Sequence, residues 1–435
     1  MRDAARSVLP WKRWMLLILV LLPLGCSILP GHWRPGWNED WRGKPAPPTT
    51  AASWKVTDLE TKDGRFVGLA LSGGGSRSAN FSAAVMLELQ RVGLLEQVDV
   101  ISAVSGGALP AAYYGLGEAQ AGPFTDRTVR DKFRYSFQGE WLQRWFYPHN
   151  IFRYWLSDFT RSDIMVQVFN ANLYHDKTFA DLRLHPKILL NSTLRNTHSR
   201  FTFTDEAFLA LNSNLSRYEI ANAVNATSAF PGPFDDVTLE RYGGTPEYRH
   251  LYDGGPMDNH GVQALTEYLF RAVSGTNLYA LFPNGCIIFV VDAAPAQEDE
   301  DLPFRQSSRT WVDYFVNTNV IDAADAMLGN LRTNQLRQMG IQVVDQDLTG
   351  TLQLPDAHYC QCQVRHVALR HLLYSSAVTT EDEAFVSRVT RIPTLFEVSK
   401  EQQDDLFQAA KVLIGELADA KLLPTPDTRT QCGAS

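Results

Sequence analysis

Val98-Asp99-Val100-Ile101-Ser102-Ala103-Val104-Ser105-Gly106-Gly107 runs directly into Ala108-Leu109-Pro110-Ala111-Ala112-Tyr113-Tyr114. The first part is a short, nearly continuous apolar run, the pattern of a buried strand. The second part reads as a packed helix. A serine at a tight strand-to-helix turn has its Oγ pushed out of the fold, at the positive end of a helix. That arrangement displays a nucleophile. It is also what a small residue at an ordinary turn looks like, so the rest of the chain must decide.

Upstream, Phe66-Val67-Gly68-Leu69-Ala70-Leu71 is another short apolar strand. Ser72-Gly73-Gly74-Gly75-Ser76-Arg77-Ser78 follows as a Gly-rich loop, then Val85, Leu89 and Val92 recur at helical spacing until Gly93 stops the helix. Strand, helix, strand, helix is a βαβα unit, which builds a parallel sheet with helices on both faces. Lys187–Leu190 and Cys286–Val291 are further apolar strands. Near the end, Ser399 and Gln402 form a capping box, and Leu406, Ala410, Leu413, Ile414 and Leu417 fall on one face of a closing helix. The expected fold is α/β: a three-layer sandwich with a mostly parallel central sheet.

The chain has 435 residues, 45% hydrophobic and 20% charged, which describes a globular protein with a substantial core. A net charge of −8 without a Lys/Arg block carries no nucleic-acid footprint. Residues 1–26 read as a signal peptide. Arg2, Arg6, Lys12 and Arg13 precede an apolar stretch, Trp14–Leu24, too short to span a bilayer comfortably. Leu24-Gly25-Cys26 resembles a bacterial lipobox, whose cysteine is lipidated; Pro23 departs from the usual aliphatic residue, and a plain signal anchor is the rival reading. Ser27, in place of aspartate, points to the outer membrane facing the periplasm. Residues 27–63 are a Pro/Trp-rich tether, 64–423 the folded domain, and 424–435 a loose tail. Cys286 reads as a core residue; Cys360 and Cys362 are too few for a zinc site by themselves, and no disulfide pairing can be read. The aromatic-rich stretch 133–159 reads equally as cover for an acyl cleft or as helical core.

An acyl-transfer site needs a nucleophile, a base and donors for the oxyanion. Ser105 is the candidate nucleophile. Gly73, Gly74, Gly75, Ser76 and Arg77 are candidates for the oxyanion hole, since successive glycines let backbone N–H groups approach a ligand. The loop lacks the Gly-Lys-Ser/Thr of a P-loop, and a dinucleotide fingerprint would need glycine where Ser78 stands. Tyr252-Asp253-Gly254-Gly255 offers an uncrowded aspartate as base; taken alone, Asp-Gly is a turn.

Together, Leu71–Arg77, Val104–Gly107 and Asp253–Asn259 occur in the order of the patatin-like phospholipases, which the chain resembles over about residues 64–420. Ala223–Gly232 and Ile392-Pro393-Thr394 resemble two further elements of that family. The resemblance implies a lipid acyl hydrolase with Ser105 as nucleophile and Asp253 as its only catalytic partner. It implies an oxyanion hole from the Gly-rich loop, supporting glycines at 106, 107, 254 and 255, and no metal or other cofactor. The implied substrate is membrane phospholipid or another lipid ester. Two departures stand where backbone geometry is tight: Ala103 replaces the first glycine of the serine motif, and Ser78 replaces the glycine after Arg77. They favour the alternative of a non-catalytic lipoprotein that binds lipid or a partner. A Ser-His-Asp hydrolase is the other alternative, with His260, His358, His366 or His371 as base.

Overall fold

The computed structural model describes residues 37–39, 64–273, 282–294, 329–341, 348–353, 361–379, 382–392, 394 and 397–424. The leader with Cys26, most of the tether, His358, Cys360, Pro393 and Cys432 lie outside the described residues.

The sheet is built around β1 (Phe66–Leu71), whose six residues are all buried. It pairs in parallel with β2 (Val100–Ala103) on one side and β7 (Cys286–Asp292) on the other. β3 (Lys187–Leu194) extends the parallel set beyond β2, and β9 (Gln361–Ala368) extends it beyond β7. Antiparallel strands finish the margins. β4 (Ser199–Thr202) pairs with β3, β5 (Val237–Glu240) and β6 (Tyr248–Tyr252) continue past it, and β8 (Thr349–Gln353) closes the far edge on β9.

Alternation along the strands explains the layers, because successive side chains point to opposite faces. Val67, Leu69 and Leu71 of β1 join Ile101, Ala103, Ile287, Phe289 and Val291 in one core. Phe66 and Ala70 join Val100, Cys286, Ile288 and Val290 in a second core. The first face is covered by α1 (Gly75–Arg91), α2 (Ala108–Leu116), α6 (Ile220–Ser228) and α8 (Lys400–Asp419). The second is covered by α7 (Val262–Val273) together with Leu336, Met339 and Ile341. Ser399 caps α8 with Gln402 in the reciprocal box, and the five spaced apolar residues of that helix are all buried.

From β1 the chain proceeds to β2 and β3 on one side, and returns to β7 on the other. The carboxyl end of β1 is therefore a topological switch point, where open α/β sheets form their crevices. The Gly-rich loop leaves the sheet there, and the Ser105 turn leaves one strand away.

Cys286 is both core and bridge. It forms a disulfide with Cys362, its neighbour across the parallel β7–β9 pair, with Cα atoms 4.6 Å apart and a separation of 76 positions in sequence. Replacing both cysteines by alanine should lower unfolding free energy by about 2–4 kcal/mol, as loss of a long closed loop predicts. Guanidinium unfolding of the oxidised protein and the double variant checks this.

Candidate active site

Ser105 has φ +50°, in the left-handed region that costs a residue with a Cβ, while Val104 before it is still extended. The turn is held from three sides. The Ser105 N–H donates to Thr227 Oγ1 at 3.0 Å, and that hydroxyl donates in turn to the Asn191 carbonyl. The Asn191 amide donates to Ser102 Oγ at 2.9 Å and the Ala103 carbonyl at 3.2 Å, fixing the end of β2. The Val104 N–H donates to the Leu71 carbonyl at 3.1 Å.

Close backbone packing explains the glycines. A Cβ on residue 106 would lie 2.0 Å from the Gly75 carbonyl oxygen, and one on residue 107 would lie 2.7 Å from the Ser72 carbonyl oxygen. The serine turn is thus seated directly on the Gly-rich loop. Gly74 and Gly75, at φ +138° and +59°, bend that loop into α1. As the opening residues of a helix, Gly75 and Ser76 have no carbonyl one turn back for their N–H groups. The loop is fastened to β7, since the Ser72 N–H donates to the Val291 carbonyl and Ser72 Oγ accepts from the Ala293 N–H, both at 3.0 Å.

Asp253 follows β6. Its N–H donates to the Ala229 carbonyl and that of Gly254 to the Thr227 carbonyl, each at 3.1 Å, so it rests on the end of α6. A Cβ at residue 254 would lie 2.1 Å from the Asn191 carbonyl oxygen, which accounts for the glycine there. The Asp253 carboxylate accepts from the Gly255 N–H at 2.8 Å and lies beside the Ser105 side chain. It is 5% exposed and Ser105 is 8% exposed. Burial pushes the Asp253 pKa up to about 6, against the Gly255 hydrogen bond and the neighbouring Ser105 hydroxyl, which favour the anion.

Two oxyanion candidates are corrected. The Gly73 N–H is spent on the Asn259 carbonyl at 2.9 Å. The Arg77 guanidinium is buried and donates to the Ala293 carbonyl at 2.5 Å, the Ile392 carbonyl at 2.6 Å and Thr394 Oγ1 at 3.0 Å. Arg77 therefore ties α1 to the chain after β7 and to the segment before α8. Gly74, Gly75 and Ser76 remain partly open beside the serine turn.

The two departures have physical accommodation. Ala103 still lies in β2, and its methyl group packs in the first core, two residues ahead of the kink. The Ser78 hydroxyl donates to the Ser72 carbonyl and staples the Gly-rich loop.

The histidines gather at a different carboxylate. Asp292, at the end of β7, accepts from Arg332 Nε at 2.8 Å and contacts His366 Nε2 at 3.1 Å. His260 Nε2 is 3.4 Å from the same carboxylate, and its Nδ1 meets Gln335 Oε1 at 2.8 Å. Burial opposes charge on Asp292, but Arg332 and the histidines hold its carboxyl well below the usual carboxylate range. His371 stacks edge-on against His366, and burial drives its pKa down to about 3. His260 and His366 thus each meet Asp292 rather than Asp253. Sequence reasoning missed Asn191, Thr227 and Asp292 as organisers. Asp292, a lone carboxylate ending an apolar strand, was the signal available.

The patatin-like phospholipase family model matches residues 69–266. No curated protein matches the chain. Among solved structures it is similar to human GIVD cytosolic phospholipase A2, at 12% identity and a TM-score of 0.49, over 84% of this chain and 62% of that one. The same human enzyme in complex with methyl gamma-linolenyl fluorophosphonate inhibitor and terbium chloride aligns at 13% identity and a TM-score of 0.46, over 85% and 62% of the two chains. VipD from Legionella pneumophila aligns at 11% identity and a TM-score of 0.28, over 81% and 67%. The chain therefore spans less than two thirds of the length of the human enzyme.

The raised pKa of Asp253 fixes the sign of a stability effect. Between about pH 4 and 6 the folded state holds a proton that the unfolded chain has released, so folded stability falls as pH rises through that window. Asp253→Asn removes the cost and should stabilise the protein by about 1–3 kcal/mol above pH 6. Chemical unfolding of both proteins at pH 4 and pH 8 checks this: the gain should be present at the higher pH and nearly absent at the lower.

Proposed function

With residues 69–266 belonging to the patatin-like phospholipase family, we propose that this lipid hydrolase is a serine acyl hydrolase working through a Ser105–Asp253 dyad. The observation that carries the reading is the buried Asp253 carboxylate lying beside the Ser105 side chain, whose hydroxyl favours the anion.

Asp253 accepts the Oγ proton as Ser105 attacks the ester carbonyl carbon. The carbonyl electron pair moves onto oxygen, and the N–H groups of Gly74, Gly75 and Gly106 receive that oxyanion at the start of α1. Collapse expels the alcohol, which takes the proton from Asp253, and leaves an acyl-enzyme. Asp253 then takes a proton from water, the hydroxide attacks the acyl carbon, and Ser105 Oγ leaves with the proton. A solvated aspartate is too weak a base for this work; burial brings it nearer to the operating pH. Every step uses side chains and backbone of this chain alone.

The substrate class is a phospholipid or related lipid ester in a membrane. Acylated Cys26 would tether the domain to the bacterial envelope, on the periplasmic face of the outer membrane.

Ser105→Ala and Asp253→Asn should each lower turnover of a chromogenic acyl ester by about a thousandfold or more. His260→Gln, with its fold verified by circular dichroism, should stay within about tenfold of the unsubstituted chain. kcat/KM should rise with pH on one ionisation near 6. If the unsubstituted chain and Ser105→Ala are equally inert, the proposal fails in favour of a binding lipoprotein; equal measurable turnover would place the nucleophile elsewhere.

A further inference from the structure

Two short helices stand on the outside of the first layer. α3 (Phe137–Trp145) and α4 (Pro148–Leu156) are joined by Phe146 and Tyr147. Their inner side is anchored. Phe137 packs on Phe169 of α5 (Arg161–Phe169), Trp141 packs on Phe234 with ring centroids 5.5 Å apart, and Trp141 Nε1 donates to the Arg161 carbonyl at 2.9 Å. Asn150 is the buried residue of α4, and its amide reaches the Arg144 carbonyl at 2.9 Å.

The outer side is apolar and uncovered. Phe146 is 71% exposed, Phe152 65% and Trp155 63%, with Leu142, Ile151 and Leu156 beside them. Ile151, Phe152, Trp155 and Leu156 are spaced to share one face of α4. Among the described residues, nine of the twelve exposed large apolar side chains fall between Tyr135 and Leu156, so this is a patch and not scatter. The aromatic-rich stretch is thus divided: Phe133, Phe137 and Phe159 are buried, as a helical core requires, while its outer side is uncovered.

We infer that this hairpin is a bilayer-docking surface that seats the domain on its lipid. The choice of occupant rests on the hydrolase reading above. Charge supports it. In a chain of net charge −8, Glu140 is the only carboxylate between residues 137 and 156. It is held inward by Tyr135, Arg144 and Asn172. α4 itself carries Arg153 and His149 and no acid, which suits an anionic headgroup layer. Trp, Tyr and Phe beside Arg are the side chains that settle at a membrane interface. Position supports it too. The hairpin is mounted through Phe234 and the Arg161–Asp235 ion pair on the loop after α6, the helix whose Thr227 holds the Ser105 turn.

Position-specific quenching in the full chain tests this. An NBD fluorophore is placed on Trp155→Cys or, as the control, on Leu184→Cys, a site 86% exposed outside the patch. Both carry Cys360→Ser and Cys432→Ser, and the signal of the same background without the new cysteine is subtracted. In phosphatidylethanolamine/phosphatidylglycerol vesicles, doxyl-labelled lipid should quench the probe at 155 at least threefold more than the probe at 184. Adding Phe152→Asp should cut that quenching at least twofold. Equal quenching at the two positions overturns the inference, as does concentration-dependent shielding of position 155 without lipid quenching, which would mean that a second copy covers the patch. Ser105→Ala should leave the quenching intact, so a failure of the hydrolase reading and a failure of this surface give different results.

Discussion

The site depends on a backbone packed against a backbone. The Gly75 carbonyl oxygen occupies the space that a side chain at residue 106 would need, and the Asn191 carbonyl oxygen does the same at residue 254. These contacts set the serine turn on the Gly-rich loop and bring the aspartate turn onto the end of β3. They tolerate no Cβ, and they leave the Ser105 side chain beside the Asp253 carboxylate. The parallel sheet supplies the frame: three loops leave the carboxyl ends of β1, β2 and β7 at its switch point, and a fourth arrives from β6.

Two buried carboxylates near this edge have opposite environments. Asp253 has only a backbone N–H and a hydroxyl to offset its burial, and its pKa rises to about 6. Asp292 has an arginine and two histidines, and its carboxyl stays ionised. Groups whose surroundings drive them apart in this way take different tasks. Asp292 holds charge in place under the loop that Ser72 fastens to β7. Asp253 is left poised to exchange a proton.

Much of this was legible in the sequence, and the reason is local. β1 runs from Phe66 to Leu71 as its apolar pattern predicts, α2 begins at Ala108 after the turn, and Ser399 and Gln402 cap α8 as their spacing requires. Strand ends were less legible: Val98 and Asp99 lie outside β2, and β3 continues to Leu194 past its apolar run. The long-range features could not be read. The Cys286–Cys362 bridge and the gathering of His260, His366 and Arg332 on Asp292 depend on which strands become neighbours. Arg77 looked like a loop residue aimed at a ligand; three acceptors far away in sequence turn it into a strut. The aromatic stretch 133–159 gave composition without direction, and only the packing of α3 and α4 separates its anchored side from its open one.

The central claim is that Ser105 is made nucleophilic by Asp253 and by no histidine. The rate of covalent labelling by an alkyl fluorophosphonate, with the modified peptide identified by mass spectrometry, tests it most directly. The account predicts a single adduct on Ser105, a rate that climbs with pH through about 6, and loss of labelling in Asp253→Asn. Labelling of Asp253→Asn at the rate of the unsubstituted chain, or an adduct on another residue, would contradict it.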